Sequence, residues 1–174
     1  LPLSGVHGGS ASVRLGAAAP AGRISLRVRT DDVPALSAAL GVDLPVKPKT
    51  SALANGRTAL WLGPDEWLVI DEGESGLMTA AANSGVLHSA TDVSHRNTAI
   101  LVEGPGAAAA INVGCPQDLS LKAFPVGACS RTILGKAEIV LLRTAEDAFR
   151  VEVWRSFSDY AFGLLAEGAL DAGL

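Results

Sequence analysis

Several residue groupings in this chain could do chemistry. Asp92, Ser94 and His95 lie within four positions of one another and offer a carboxylate, a hydroxyl and an imidazole, the parts of a nucleophilic triad. Their spacing argues against that use. Adjacent side chains on an extended segment point to opposite faces, serine hydrolases gather their triad from distant segments, and no G-x-S-x-G elbow is present. The expected role is structural: Asp92 or Ser94 hydrogen-bonds the turn and His95 packs beside it.

Gly104-Pro105-Gly106-Ala107-Ala108-Ala109 meets the loose G-x-G-x-x-G/A spacing with which a backbone approaches a pyrophosphate. Pro105 removes a backbone donor, and the chain lacks the alternating β-α run of a dinucleotide fold, so a tight strand-to-helix turn explains the glycines. Asp65-Glu66 and Asp71-Glu72 are neighbours in turns, where solvated carboxylates are the default and an acid–base pair the exception. His7, His88 and His95 are the only histidines, and a three-histidine metal site is not expected of them. Cys115 and Cys129 have no CxxC partner, so structural zinc is unsupported. Buried thiols are expected, with a disulfide left open. No catalytic, cofactor-binding or metal-ligating residue is therefore assigned to this chain.

The elements that must position these residues begin after a stretch of Gly, Ala and Ser. Residues 1–22 have no steady period and read as a flexible or partner-ordered arm, leaving 23–174 as a single domain of two similar halves, 23–91 and 92–174. From Arg23 to Arg29 the chain alternates, with Ile24, Leu26 and Val28 on one face and Arg23, Ser25, Arg27 and Arg29 on a face toward solvent or another chain. A helix over Val33–Leu40 follows, capped by Asp31 or Asp32, with Pro34 in its first turn and Gly41 ending it. The stretch from Ala59 to Asp71 reads as a hairpin turned at Pro64-Asp65 and carries Trp61 and Trp67.

Further along, the pattern predicts a helix over 74–83, a strand over 86–90, a strand over 98–102 and a helix over 106–113. Strands over 138–143 and 148–154 come next. A last helix opens at Arg155-Ser156-Phe157, with Tyr160, Phe162, Leu164 and Leu165 available for packing. A weak repeat runs through this order. Leu44 matches Leu119 at an offset of 75, and Arg57-Thr58 matches Arg131-Thr132 at 74. Chance similarity among common residues is the competing explanation. The fold class expected is α+β, with duplicated strand-helix-strand units and mainly antiparallel sheets.

The chain's 174 residues are 48% hydrophobic and only 18% charged, with a formal net charge of -4. This gives no electrostatic footprint for nucleic acid and no polybasic run for a membrane surface. No stretch approaches the ~18 to 20 apolar residues that cross a bilayer, and the start lacks the basic-then-apolar pattern of a secretory segment. A cytoplasmic location is expected.

Several short motifs, in their order and spacing, are carried together: Leu62-Gly63-Pro64-Asp65-Glu66-Trp67-Leu68, Asp92-Val93-Ser94-His95-Arg96, Gly104-Pro105-Gly106-Ala107, Gly114-Cys115-Pro116-Gln117-Asp118-Leu119, Phe124-Pro125-Val126-Gly127, Thr132, and Arg155-Ser156-Phe157-Ser158-Asp159-Tyr160. With them the sequence from about Arg23 onward resembles the gamma subunit of heterotetrameric sarcosine oxidase. It is also similar to the folate-binding domain of glycine-cleavage T-proteins (aminomethyltransferases), which implies that domain's fold.

One departure bears on function. In the T-proteins the strand corresponding to Thr132-Ile133-Leu134 leads into a longer segment with a catalytic aspartate. Here only Gly135-Lys136-Ala137 precedes Glu138, which begins a strand and is not assigned the role.

The resemblance implies an accessory, non-catalytic chain in a complex with alpha, beta and delta subunits. That complex demethylates sarcosine oxidatively to glycine, with hydrogen peroxide and formaldehyde or methylene-tetrahydrofolate. FAD, FMN, NAD, zinc and tetrahydrofolate are implied on the partner subunits and none on this chain. Arg96 and Arg155, each in a motif without an evident core role, are the candidate partner-interface residues. The alternatives are an independent folate-binding protein and an aminomethyltransferase relative.

Overall fold

The computed structural model describes residues 5–7, 12–73 and 76–172. In chain order the elements are β1 (Gly5–His7), β2 (Val13–Ala17), β3 (Gly22–Val28), α1 (Val33–Leu40), β4 (Ser51–Ala54), β5 (Arg57–Gly63), β6 (Glu66–Asp71) and α2 (Leu77–Ala82). There follow β7 (His88–Asp92), β8 (Asn97–Glu103), α3 (Ala107–Asn112), β9 (Cys129–Leu134), β10 (Ala137–Ala145), β11 (Ala148–Trp154) and α4 (Ser158–Asp171). Short 3-10 turns at Thr30–Asp32 and Arg155–Phe157 lead into α1 and α4. The chain divides into two compact units, Ala19–Arg96 and a second made of the residues up to Ala18 with Asn97–Leu174.

The unit Ala19–Arg96 is built on an antiparallel sheet of order β4-β5-β6-β3-β7. The alternation in β3 sends Ile24, Leu26 and Val28 into a core with Val33, Leu36 and Leu40 of α1, Leu77 and Ala81 of α2, and Trp67 and Val69 of β6. Gly41 closes α1 with a φ of 65°, a left-handed residue that glycine reaches without steric cost. The hairpin forms as expected. β5 and β6 flank Pro64-Asp65, Trp61 lies opposite Trp67, and the fully buried Trp67 donates from Nε1 to the Pro45 carbonyl at 2.8 Å.

Three expectations need correction in this unit. Neither Asp31 nor Asp32 caps α1 with its side chain; both lie in the preceding 3-10 turn. Arg23 does not face solvent. It is buried and donates from Nη1 to the Ala21 carbonyl at 2.9 Å. The reason is that its side of the sheet is shared with Leu68 and Ile70, opposite Ser25 and Arg23 on β6, and both are themselves buried. The elements expected over 74–83 and 86–90 form as Leu77–Ala82 and His88–Asp92, with Glu74 and Ser75 outside the described residues.

The other unit holds a sheet of order β1-β2-β8-β11-β10-β9. Its core joins Val13 and Leu15 of β2 to Ile100 and Val102 of β8, Phe149 and Val151 of β11, and Ala161, Phe162 and Leu165 of α4. The arm expected over residues 1–22 is therefore corrected in its described part. Val13–Ala17 is an inner strand between β1 and β8, with Val13 and Leu15 fully buried, and β3 already begins at Gly22. Apolar burial on one face of this short strand fixes a segment whose glycines and alanines alone would leave it loose. Residues 1–4 and 8–11 lie outside the description.

The topology gives the repeat a different form from the one the sequence suggested. Each copy runs strand, strand, helix, three strands, helix: β2-β3-α1-β4-β5-β6-α2, then β7-β8-α3-β9-β10-β11-α4. The first strand of each copy pairs with the second strand of the other copy, β2 with β8 and β7 with β3. Val13 and His88 begin the exchanged strands, 75 positions apart, as are Gly22 and Asn97. The match of Arg57 with Arg131 does not correspond in space, because Arg57 opens the second of three strands and Arg131 lies in the first. The segment after the helix is longer in the second copy, residues 113–128 against 41–50, and this displaces the register.

Candidate partner interface

The residues first considered for chemistry are held in structural roles. At the end of β7, the Ser94 amide donates to Asp92 Oδ1 at 2.9 Å, and Ser94 Oγ accepts the Arg23 amide at 2.8 Å. The hydroxyl thus joins a turn to the start of β3. Hydrogen bonds from the Ser94 side chain and amide hold the Asp92 carboxyl below its usual range, with a smaller contribution from His95. His95 does not pack as expected; its side chain is exposed.

Gly104-Pro105-Gly106 is a strand-to-helix turn, as read from its glycines. The Gly106 amide donates to Ser12 O at 3.0 Å and the Gly104 amide to Asp147 O at 2.9 Å. Gly104 has a φ of 117°, and a Cβ there would collide with the Ser12 carbonyl. Glycine at this position follows from the close approach of β2, with both flanking amides already bonded. Cys115 and Cys129 are buried and not joined in a disulfide, and Cys115 Sγ lies 3.9 Å from Thr132 Oγ1. Among the described residues, no group of three His, Cys, Asp or Glu side chains could hold a metal ion. No helix there is long and apolar enough to cross a membrane.

The segment after α3 is organised by polar side chains around buried anchors. Asn112 Nδ2 donates to the carbonyls of Cys115 and Gln117 at 3.0 and 2.8 Å. Arg143, buried at the end of β10, donates from Nη2 to Leu119 O at 2.6 Å, and its guanidinium lies 4.5 Å from the centroid of the Phe149 ring. Burial lowers the pKa of Arg143, opposed by Glu146. Asp118 accepts the Ser120 amide at 2.8 Å, and that bond, with one to the Ser120 side chain, lowers its pKa.

Both arginines expected at an interface have exposed side chains. Arg96 closes the turn after β7, its amide donating to Val93 O at 3.1 Å. Arg155 sits in the 3-10 turn between β11 and α4. Around it the structure adds residues that the sequence reading did not place at a surface. Trp154, Phe157 and Tyr160 are exposed by 43, 39 and 42%. Tyr160 was expected to pack inward with Phe162 and Leu165; those two are buried, but Tyr160 is not. Its ring meets Phe157 edge to face with centroids 6.5 Å apart, and its hydroxyl accepts the Lys136 amide at 3.1 Å.

That amide belongs to the turn Gly135-Lys136, the short connection between β9 and β10. Gly135 has a φ of 60°, and a Cβ on it would strike the Tyr160 hydroxyl. Tyr160 therefore closes over the short β9–β10 connection. The signal for this surface was present in the sequence as aromatic residues three apart across the Arg155-Ser156-Phe157 motif, the spacing that aligns side chains on successive tight turns.

The family model for the sarcosine oxidase gamma subunit matches residues 30–171. A sarcosine oxidase subunit gamma from Arthrobacter sp is 37% identical over 67% of this chain and 59% of its own length. One from Corynebacterium sp. (strain U-96) is 33% identical over 72% of this chain and 63% of its own length. The matches thus span about six-tenths of these relatives' lengths.

Among solved structures, a chain of the heterotetrameric sarcosine oxidase from Corynebacterium sp. U-96, in complex with pyrrole 2-carboxylate, superposes with a TM-score of 0.89 at 29% identity. It covers 97% of this chain and 89% of that one. The glycine cleavage system aminomethyltransferase T from Bartonella henselae superposes with a TM-score of 0.66 at 16% identity, over 95% of this chain and 50% of that one. The second likeness bears on fold alone, and gives the α+β, folate-binding-domain-like architecture expected from the sequence.

Proposed function

We propose that this chain, which belongs to the sarcosine oxidase gamma subunit family, serves as the accessory, non-catalytic subunit of a heterotetrameric sarcosine oxidase. In that complex sarcosine loses two electrons and its N-methyl group. Oxygen is reduced to hydrogen peroxide, glycine is released, and the one-carbon unit leaves as formaldehyde or methylene-tetrahydrofolate. The partners are alpha, beta and delta subunits in the cytoplasm, with FAD, FMN, NAD, zinc and tetrahydrofolate held on those chains. This chain acts as a single folate-binding-like domain made of two halves, with Arg96 and Arg155 at its partner surface.

The observation that carries the reading is the likeness to a chain of a heterotetrameric sarcosine oxidase over nearly the whole length, at a TM-score of 0.89. The side chains favour an accessory role over chemistry. The Ser94 hydroxyl is engaged by the β3 backbone, the Gly104 and Gly106 amides are spent on a turn, and the β9–β10 connection is closed by Tyr160.

The test is co-expression of the chain with alpha, beta and delta subunits, followed by size-exclusion chromatography and a sarcosine-dependent peroxide assay with and without it. Co-elution in a yellow complex whose assembly or activity falls when the chain is omitted is the expected result. A chain that elutes alone and binds tetrahydrofolate would instead be an independent folate-binding protein.

A further inference from the structure

The chain has eight aromatic residues, three Trp, one Tyr and four Phe, and all fall within the described residues. Trp67, Phe124, Phe149 and Phe162 are buried and Trp61 is half-buried. The three exposed rings, Trp154, Phe157 and Tyr160, lie in one seven-residue stretch at i, i+3 and i+6. Large rings dominate the energetics of cores and interfaces, so confining every exposed one to a single stretch is not the scatter of a plain surface.

The stretch is also rigid. Tyr160 is held at its hydroxyl by the Lys136 amide and at its ring by Phe157, and the turn beneath it leaves no room for a side chain on Gly135. Pre-ordered rings lose little freedom on docking.

Its charge runs against that of the whole chain. The formal net charge is -4, yet this surface presents Arg155 and Lys136. Both are exposed, and neither forms an ion pair among the described residues. Glu152, three residues before Arg155, is buried and accepts from Arg150 Nε at 2.8 Å, and Asp159, in the first turn of α4, forms no ion pair among the described residues. Glu138 on β10 lies 4.0 Å from Arg131. Two cations against one unengaged acid leave an excess of positive charge around apolar rings. An exposed Trp, Tyr and Arg together are the residue types that carry most of the energy at protein interfaces.

We infer that Trp154, Phe157 and Tyr160, with Arg155 between them, form the docking hot spot for an acidic segment of a partner subunit. The Arg155 guanidinium receives an Asp or Glu carboxylate, and an adjoining aliphatic or prolyl side chain covers the rings. The inference rests on the accessory-subunit reading, which it deepens by naming the surface and the chemistry of the partner.

The experiment titrates the full chain onto an immobilised alpha–beta–delta assembly prepared without it, at low and high salt. The variants are Trp154→Ala, Arg155→Glu, Arg155→Lys and, as a control at an exposed apolar residue in the other unit, Leu53→Ala. Thermal melts of each free variant establish that it is folded. Trp154→Ala and Arg155→Glu are each expected to weaken binding about 30-fold or more. Arg155→Lys is expected to keep part of the affinity, and Leu53→Ala to stay within about threefold. Binding of the unmodified chain should weaken with salt more steeply than that of Arg155→Glu.

If the unmodified chain binds and folded Trp154→Ala and Arg155→Glu bind within about threefold of it, the hot spot is wrong while the accessory reading stands. If the unmodified chain does not bind at all, the accessory reading fails and takes this inference with it. A Trp154→Ala chain that changes its own sedimentation but not its affinity for the assembly would mark the patch as a contact between copies of this chain, and would also overturn the proposal.

Discussion

In the unit Ala19–Arg96 the chain leaving the first helix is tied back by Arg57, which donates from Nη1 to Leu40 O at 2.7 Å and from Nε to Asp71 Oδ2 at 2.9 Å. In the other unit Arg143 does the same work, reaching Leu119 O at 2.6 Å. Its charge meets no carboxylate among the described salt bridges and rests over the Phe149 ring at 4.5 Å. The leading strands differ in a similar way. β2 buries Val13 and Leu15 completely, whereas every residue of β7 is half-buried or exposed. The duplication thus preserves topology and hands each position to whichever interaction is locally available. Corresponding elements should therefore respond unequally to the same kind of change.

The leading strands offer the largest contrast. Leu15→Ala empties a fully buried site and should cost about 2 to 5 kcal/mol by transfer and cavity terms together. Thr91→Ala, on the exposed side of β7, should stay within about 0.5 kcal/mol. Urea unfolding midpoints measure both, and equal losses would show that β7 is as deeply committed to its sheet as β2.

A second contrast lies in the sign for the two arginines. Arg57→Met leaves Asp71, whose side chain is only 5% exposed, without its cation. Breaking a buried pair costs about 3 to 5 kcal/mol, and the 21% exposure of Arg57 moves the expectation toward about 2 to 3. Arg143→Met strands no acid and removes a charge that burial already disfavours. It loses the bond to Leu119 O, so its net effect should fall within about 1 kcal/mol of zero. A loss at Arg143 as large as that at Arg57 would mean that the Phe149 contact replaces a carboxylate in full.

The same features mark what the sequence could and could not reveal. Pro64-Asp65 between two apolar runs announced the hairpin, and Pro34 with Gly41 bounded α1, because these signals are local. Val13-Arg14-Leu15-Gly16-Ala17 is too short and too rich in small residues to declare itself; it is a strand because β8 lies ready to pair with it. Alternation in β3 separated two faces correctly but carried no information that the Arg23 face is covered too. The offset of Arg57 to Arg131 failed because spacing in sequence does not register a loop of different length.

At the candidate interface the motif singled out Arg155, whose side chain is exposed. The exposure of Tyr160 was not legible, since a ring in the first turn of an apolar helix reads as core until the Gly135-Lys136 turn is seen to hold it outside.

The smallest effect concerns two matching turns. Asp92-Val93-Ser94 and Asp118-Leu119-Ser120 each bury the middle aliphatic residue and bond the serine amide to the aspartate, at 2.9 and 2.8 Å. Both carboxyls titrate below their usual value of 3.8 through bonds to those serines. A folded-state pKa lowered in this way adds stability that is present above the unfolded value and disappears as pH falls through the folded one.

Both groups are exposed, so solvent limits the gain, and Asp92→Asn or Asp118→Asn should lower the melting temperature only slightly at pH 7. The cost should shrink as pH falls below 3.8, the unfolded value, and through the lower values of the folded carboxyls. Melting curves of each variant and the double variant at pH 7 and pH 3 decide the cause. A penalty that fades with acid belongs to the charge on the carboxylate. One that persists unchanged belongs to the shape of the turn, which asparagine would then fail to reproduce for reasons other than charge.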